Sequence, residues 1–182
     1  MKDSKSPIAV TICNETDQDA IDEERLRRGV YLVLQEHGVE SAVIGVAIVT
    51  DTSMQEMNRK YLNHDYPTDV LSFPLKTNSL EPLEGELAIS LDTAARLAEE
   101  YRWGAEDELL LYVIHGTLHL VGFTDEEEEE KMKIQAQERA MLMKMGLTPP
   151  ENATRPSESV GGCGENSAHL ISQPSKTSER LQ

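Results

Sequence analysis

The chain predicts an α/β (α+β) fold, a single domain in which a mixed four-stranded sheet packs with helices. Three observations carry this. Short apolar runs rich in β-branched residues recur at 7–13 (PIAVTIC) and 41–50 (SAVIGVAIVT). Between and after them, apolar residues return at helical spacing, as with Ile21, Leu26, Val30 and Leu34. Composition then breaks after Pro149-Pro150, where apolar residues become sparse.

The elements follow in order. Residues 7–13 predict a first strand and 18–37 a helix. Residues 41–50 predict a buried strand. Ser53 and Glu56 have the spacing of a capping box, which opens a helix at about 54–62. A turn over 63–68 contains Pro67, with Asp65 and Thr68 expected to bond backbone. A short strand, 69–73, is expected to stop at Pro74, and a loop spans 76–84. A fourth strand covers 86–91, and helices cover about 92–101 and 106–121. Thr124 and Glu127 form a second capping-box pattern for a last helix to about 145. The domain is thus 1–148, and 149–182 is a tail expected to be disordered.

With 182 residues the chain is long enough for one real core, which is aliphatic because aromatic content is only 4%. The formal net charge of −16 argues against indiscriminate nucleic-acid binding, since polyphosphate is repelled at long range. A local cationic cleft remains compatible with it. The tail holds four acids and three bases, so nearly all the negative charge belongs to the domain. The run Glu126 to Glu130 reads as a solvated helix start, where carboxylates meet the positive end of the macrodipole. Two distant cysteines, Cys13 and Cys163, give no disulfide framework or cysteine zinc cluster. No apolar run spans a membrane and no signal-peptide core is readable. A reducing cytoplasmic location, with no membrane and no disulfide partner, is expected.

HGTLHLVGFTD, residues 115–125, is the densest stretch of chemistry. His115 and His119 share one helix face, with Cβ atoms about 6 Å apart. Gly122 can end the helix in a left-handed conformation and return Asp125 to the pair. Two imidazoles and a carboxylate, with a fourth position left for water, form a hydrolytic zinc arrangement. The pair alone is a weak signal, because most buried histidines are hydrogen-bonded core. Emergence from the apolar run 109–114 strengthens it, since buried polar groups need partners. Gly116 stands where a His-Glu-x-x-His peptidase has its general base, and a glycine there admits a close neighbour.

The second dense stretch is NHDYPTDVLSFP, residues 63–74. Together PTDVLSFP, GELAIS and HGTLHLVGFTD resemble the YbeY family of endoribonucleases, the rRNA maturation factors, over about residues 40–145. The resemblance implies a single-strand-specific, metal-dependent endoribonuclease acting in maturation of small-subunit ribosomal RNA and in ribosome quality control. It implies one zinc per chain, a metal helix packed across the sheet, and contact with small ribosomal subunit proteins. His115 and His119 match the family's first two zinc histidines. The third is usually the His of Gly-Tyr-Asp-His, and Asp125 occupies its place in Gly122-Phe123-Thr124-Asp125. The family also has Arg after the tyrosine matched by Tyr61, where this chain has Leu62. Arg59, one helical turn back, is then the candidate phosphate contact, with a plain surface charge as its alternative.

For the reaction, the residues leave two routes open. A bound ion can activate water or polarise a phosphoryl oxygen, or a ribose 2′-hydroxyl can attack. His64 is a proton donor or a loop residue, and Ser72, inside a strand, reads as a backbone-bonding residue because no His–acid pair serves it. The catalytic candidates are His115, His119 and Arg59; the metal candidates are His115, His119 and Asp125. Two competing functions remain: another zinc hydrolase such as a peptidase, and a ribosome-assembly RNA-binding factor whose metal is mainly structural.

Overall fold

A computed structural model describes residues 8–18, 20–76 and 82–150. Four strands, β1 (Ala9–Asn14), β2 (Ala42–Val49), β3 (Val70–Lys76) and β4 (Leu83–Ser90), form one sheet in the order β1-β2-β4-β3. β1, β2 and β4 run parallel and β3 pairs antiparallel with β4, so the sheet is mixed, as expected. Among the described residues there are also five helices: α1 (Glu23–Glu36), α2 (Asp51–Leu62), α3 (Leu91–Tyr101), α4 (Ala105–Leu120) and α5 (Glu128–Lys144).

Several boundaries differ from the sequence reading. α1 begins at Glu23, because the Asp22 carboxylate accepts from the Arg25 N–H at 2.9 Å and closes the first turn there. α2 is capped by Thr50 three residues before Ser53, whose N–H it accepts. α5 starts at Glu128 with Glu127 as its cap, and the Glu130 side chain reaches back to the Glu127 N–H at 3.4 Å. Thr124 is therefore not the cap of α5. β3 continues through Pro74 because it is an edge strand, where a missing N–H costs least; the pairing shifts between Pro74 and Lys76. The expected tail lies outside the described residues, apart from Pro149 and Pro150.

From Leu109 to Ile114 α4 is apolar and buried on every side, as a helix segment surrounded by protein must be. It packs on α1, α3, α5 and the β3–β4 hairpin. A Cβ at Gly116 would lie 2.9 Å from Leu87 Cδ2 and 3.0 Å from Val70 Cγ2, so the missing side chain is what lets α4 sit on the sheet. On β3, Val70 and Ser72 face α4, whereas Leu71 and Phe73 join Met54 of α2 in a second apolar cluster. Alternate residues of a strand point to opposite faces. α2 and α4 therefore cover opposite faces of the sheet.

Candidate metal centre

The last two turns of α4 carry His115 and His119, and the chain then reverses. Gly122 adopts φ of +101°, its N–H reaches the His119 carbonyl at 3.0 Å, and the Phe123 N–H reaches the Leu118 carbonyl at 3.0 Å. This pair of bonds is a Schellman closure, and the backbone angle is one that glycine adopts without a Cβ penalty. Phe123 is held by an edge-on contact with the His37 ring, centroids 5.1 Å apart. Asp125 is thereby returned to the helix end and is only 7% exposed, while Thr124 points to solvent.

His115, His119 and Asp125 come together so that one ligand atom from each lies within 4.8 Å of the others. The two Nε2 atoms are 2.9 Å apart, and Asp125 Oδ1 is 4.0 Å from His119 Nε2. Each imidazole is anchored on its far side. His119 Nδ1–H donates to the Phe123 carbonyl at 2.9 Å. His115 Nδ1–H donates to Glu138 Oε1 of α5 at 2.5 Å. A carbonyl oxygen can only accept, and a carboxylate does the same, so both protons sit on Nδ1. Both Nε2 lone pairs then face the same point.

Two lone pairs at 2.9 Å repel unless a cation lies between them or one ring is protonated. Protonation is opposed at His119. Burial, then the neighbouring His115, holds its pKa below the ordinary histidine value, against the raising effects of Asp125, the Phe123 carbonyl and Glu138. The arrangement therefore fits a divalent ion: two neutral nitrogens aimed inward, one carboxylate beside them and a second carboxylate behind His115. His119 is 24% exposed at its side chain, so the cluster has an open side.

The other sequence-predicted residues lie elsewhere. Arg59 is exposed on α2, across the sheet from α4, and pairs with Asp65 at 3.8 Å. His64 is an exposed loop residue whose ring stacks on Tyr66, with its Nδ1 at 3.2 Å from the tyrosine hydroxyl. Ser72 donates to the Gly116 carbonyl at 3.3 Å, which ties β3 to α4 and is a structural use. In the 63–69 turn, the Asp65 carboxylate takes the Gln55 amide and the Thr68 hydroxyl turns to Asp69, so neither side chain makes the expected backbone bond. Glu138 and the Phe123 carbonyl are the participants that sequence reading missed. Glu138 had one available signal, an acid set among Ile134, Met141 and Leu142 on the buried face of α5.

The family model described as endoribonuclease YbeY matches residues 11–146. The endoribonuclease YbeY of Chloroherpeton thalassium is 39% identical over 131 residues, covering 72% of this chain and 92% of that protein. The one from Carboxydothermus hydrogenoformans is 37% identical over 139 residues, covering 75% and 96%. Among solved structures, the solution structure of TM1509 from Thermotoga maritima is similar, with a TM-score of 0.54 at 25% identity over 82% of this chain and 99% of that one.

Proposed function

The chain belongs to the endoribonuclease YbeY family, and on that footing we propose that it is a metal-dependent hydrolase that cleaves single-stranded RNA during maturation of small-subunit ribosomal RNA and in ribosome quality control. The observation that carries the metal-dependent part is the convergence of two tautomer-fixed imidazoles on one point beside Asp125. Zinc is the proposed ion, one per chain, because nitrogen donors and a single carboxylate in a site with an open side suit it. When bound, such an ion supplies Lewis acidity toward water or a phosphoryl oxygen.

The residues of the chain do the rest. His115, His119 and Asp125 hold the ion; the Phe123 carbonyl keeps the ring of His119 oriented. Asp125 and Glu138, both buried, offset the charge of a divalent cation. Arg59 is proposed as a contact to the RNA backbone away from the metal, and its exposure on α2 leaves it accessible to phosphate. The partners in this reading are single-stranded ribosomal RNA and proteins of the small ribosomal subunit, in the cytoplasm. Among the described residues, no helix is long and apolar enough to cross a membrane.

A mainly structural metal is the competing reading. Such sites usually have four protein ligands and no open position. Among the described residues the cluster offers three, and His119 is partly exposed. The test combines metal content with cleavage. Protein purified without chelator should carry one ion per chain and cut a single-stranded RNA. The double variant His115→Ala, His119→Ala should do neither. Retained cleavage in that variant would move the chemistry elsewhere, and metal loss with unchanged cleavage would make the ion structural. Arg59→Ala should weaken RNA binding and flatten its salt dependence. An unchanged affinity and slope would make Arg59 a plain surface charge.

A further inference from the structure

We propose that Glu138 is a positioning residue for the metal centre: its carboxylate fixes His115 in the Nδ1–H tautomer and makes His115 the stronger of the two nitrogen donors. The inference rests on the metal reading above and adds to it a residue from another helix. Glu138 Oε1 receives the His115 Nδ1–H at 2.5 Å, and the residue is only 6% exposed. Its neighbours on the inner face of α5, Ile134, Met141 and Leu142, are buried, so the carboxylate has little freedom to leave the imidazole.

The two histidines are not equivalent. His119 leans on a neutral backbone carbonyl, while His115 leans on an ionisable carboxylate. A carboxylate draws the Nδ1 proton toward itself and pushes electron density to Nε2, which raises the ring's basicity as a ligand. It also fixes ring rotation, because the imidazole plane must contain the hydrogen bond. A buried acid on an apolar helix face is costly by itself. At this position it is offset by the imidazole donor and by the positive ion one ring away.

The experiment uses the full chain, stripped with a chelator and then titrated with zinc against a chromophoric competitor. Glu138→Leu removes the acceptor and keeps the volume; zinc should bind about 10–100-fold more weakly. Glu138→Gln keeps a carbonyl acceptor without the charge and should fall between wild type and Glu138→Leu. Nitrogen-15 shifts of the His115 ring in metal-free protein give the second readout. Wild type and Glu138→Gln should show Nδ1–H, and Glu138→Leu should show the Nε2–H form or a mixture. A merely structural role would lower the melting temperature of the metal-free protein and leave both readouts unchanged. Zinc affinity within about twofold of wild type in Glu138→Leu, or in Glu138→Gln should the leucine variant fail to fold, overturns the inference. A wild type that binds no zinc overturns the metal reading and this inference with it, whereas zinc-binding wild type with unaffected variants overturns this inference alone.

Discussion

In the proposed metal site, Asp125 sets the charge of the centre. A carboxylate cancels one more unit of metal charge than a neutral imidazole does, so the ion is a weaker Lewis acid than in a three-histidine site. An oxygen ligand also loosens the preference for zinc and lets manganese compete. Asp125→His should keep the metal, sharpen selectivity for zinc over manganese and move the rise of the pH–rate profile to lower pH. Asp125→Ala should weaken metal binding by more than about 100-fold, beyond what the loss of an outer partner costs. Equilibrium dialysis with each metal checks both, and full affinity in Asp125→Ala would require a different third ligand. His119 gives a pH prediction for the metal-free protein. Its folded pKa is lowered, chiefly by burial, from an ordinary value of 6.5. Above 6.5 the ring is neutral in both the folded and unfolded states and contributes nothing. As pH falls below that value the unfolded chain takes up a proton that the folded state resists, so stability should decline until the folded pKa is passed. Urea midpoints of chelator-treated protein between neutral and mildly acidic pH measure it, and His119→Gln should flatten the slope. At this scale the cluster of His115, His119 and Asp125 was legible because it lies along one helix end and the turn at Gly122 that follows it. Glu138 was not, because its relation to His115 exists only once α5 has packed on α4.

α4 is the element on which the site depends, and its closeness to the sheet is set by one missing side chain. A methyl at Gly116 would meet Leu87 Cδ2, Val70 Cγ2 and Ser72 Oγ at 2.9, 3.0 and 3.2 Å. Alanine gains about 1 kcal/mol over glycine in a helix interior, while overpacking costs about 1–3 kcal/mol. Gly116→Ala should therefore be destabilising by up to about 2 kcal/mol, with metal affinity reduced as α4 is pushed away from the hairpin. Chemical denaturation measures the first effect and zinc titration the second. A stabilised variant would mean that Leu87 yields at no cost. Elements built on long apolar runs were readable in sequence, including α4 and β2. Their ends were less so, because caps are chosen by competition among nearby oxygens. Thr50 prevailed over Ser53, and Glu127 over Thr124. Pro74 reads as a strand stop in isolation; only the strand order shows that β3 is an edge and can tolerate it.

At the scale of the molecule, the negative charge lies almost wholly before residue 151. The whole chain carries −16 and residues 151–182 contribute −1, so −15 belongs to residues 1–150. RNA must reach a surface that repels it at a distance, which restricts binding to local cations such as Arg59 and the proposed ion. The described chain is packed to its last residues. Met145 and Leu147 lie against the main apolar cluster, and Pro149 is buried. Cutting after Pro150 therefore removes none of these contacts, and residues 151–182 have too few apolar side chains to offset the entropy of ordering them. A chain ending at Pro150 should melt close to the full-length temperature, retain one metal ion and keep its cleavage of single-stranded RNA. For a domain of this size about 1 kcal/mol corresponds to roughly 2–4 °C, so calorimetry resolves even a single lost apolar contact. A drop larger than that range would show that residues 151–182 pack on the domain. An unchanged melting temperature with lost cleavage would instead assign the tail to RNA or ribosome contact.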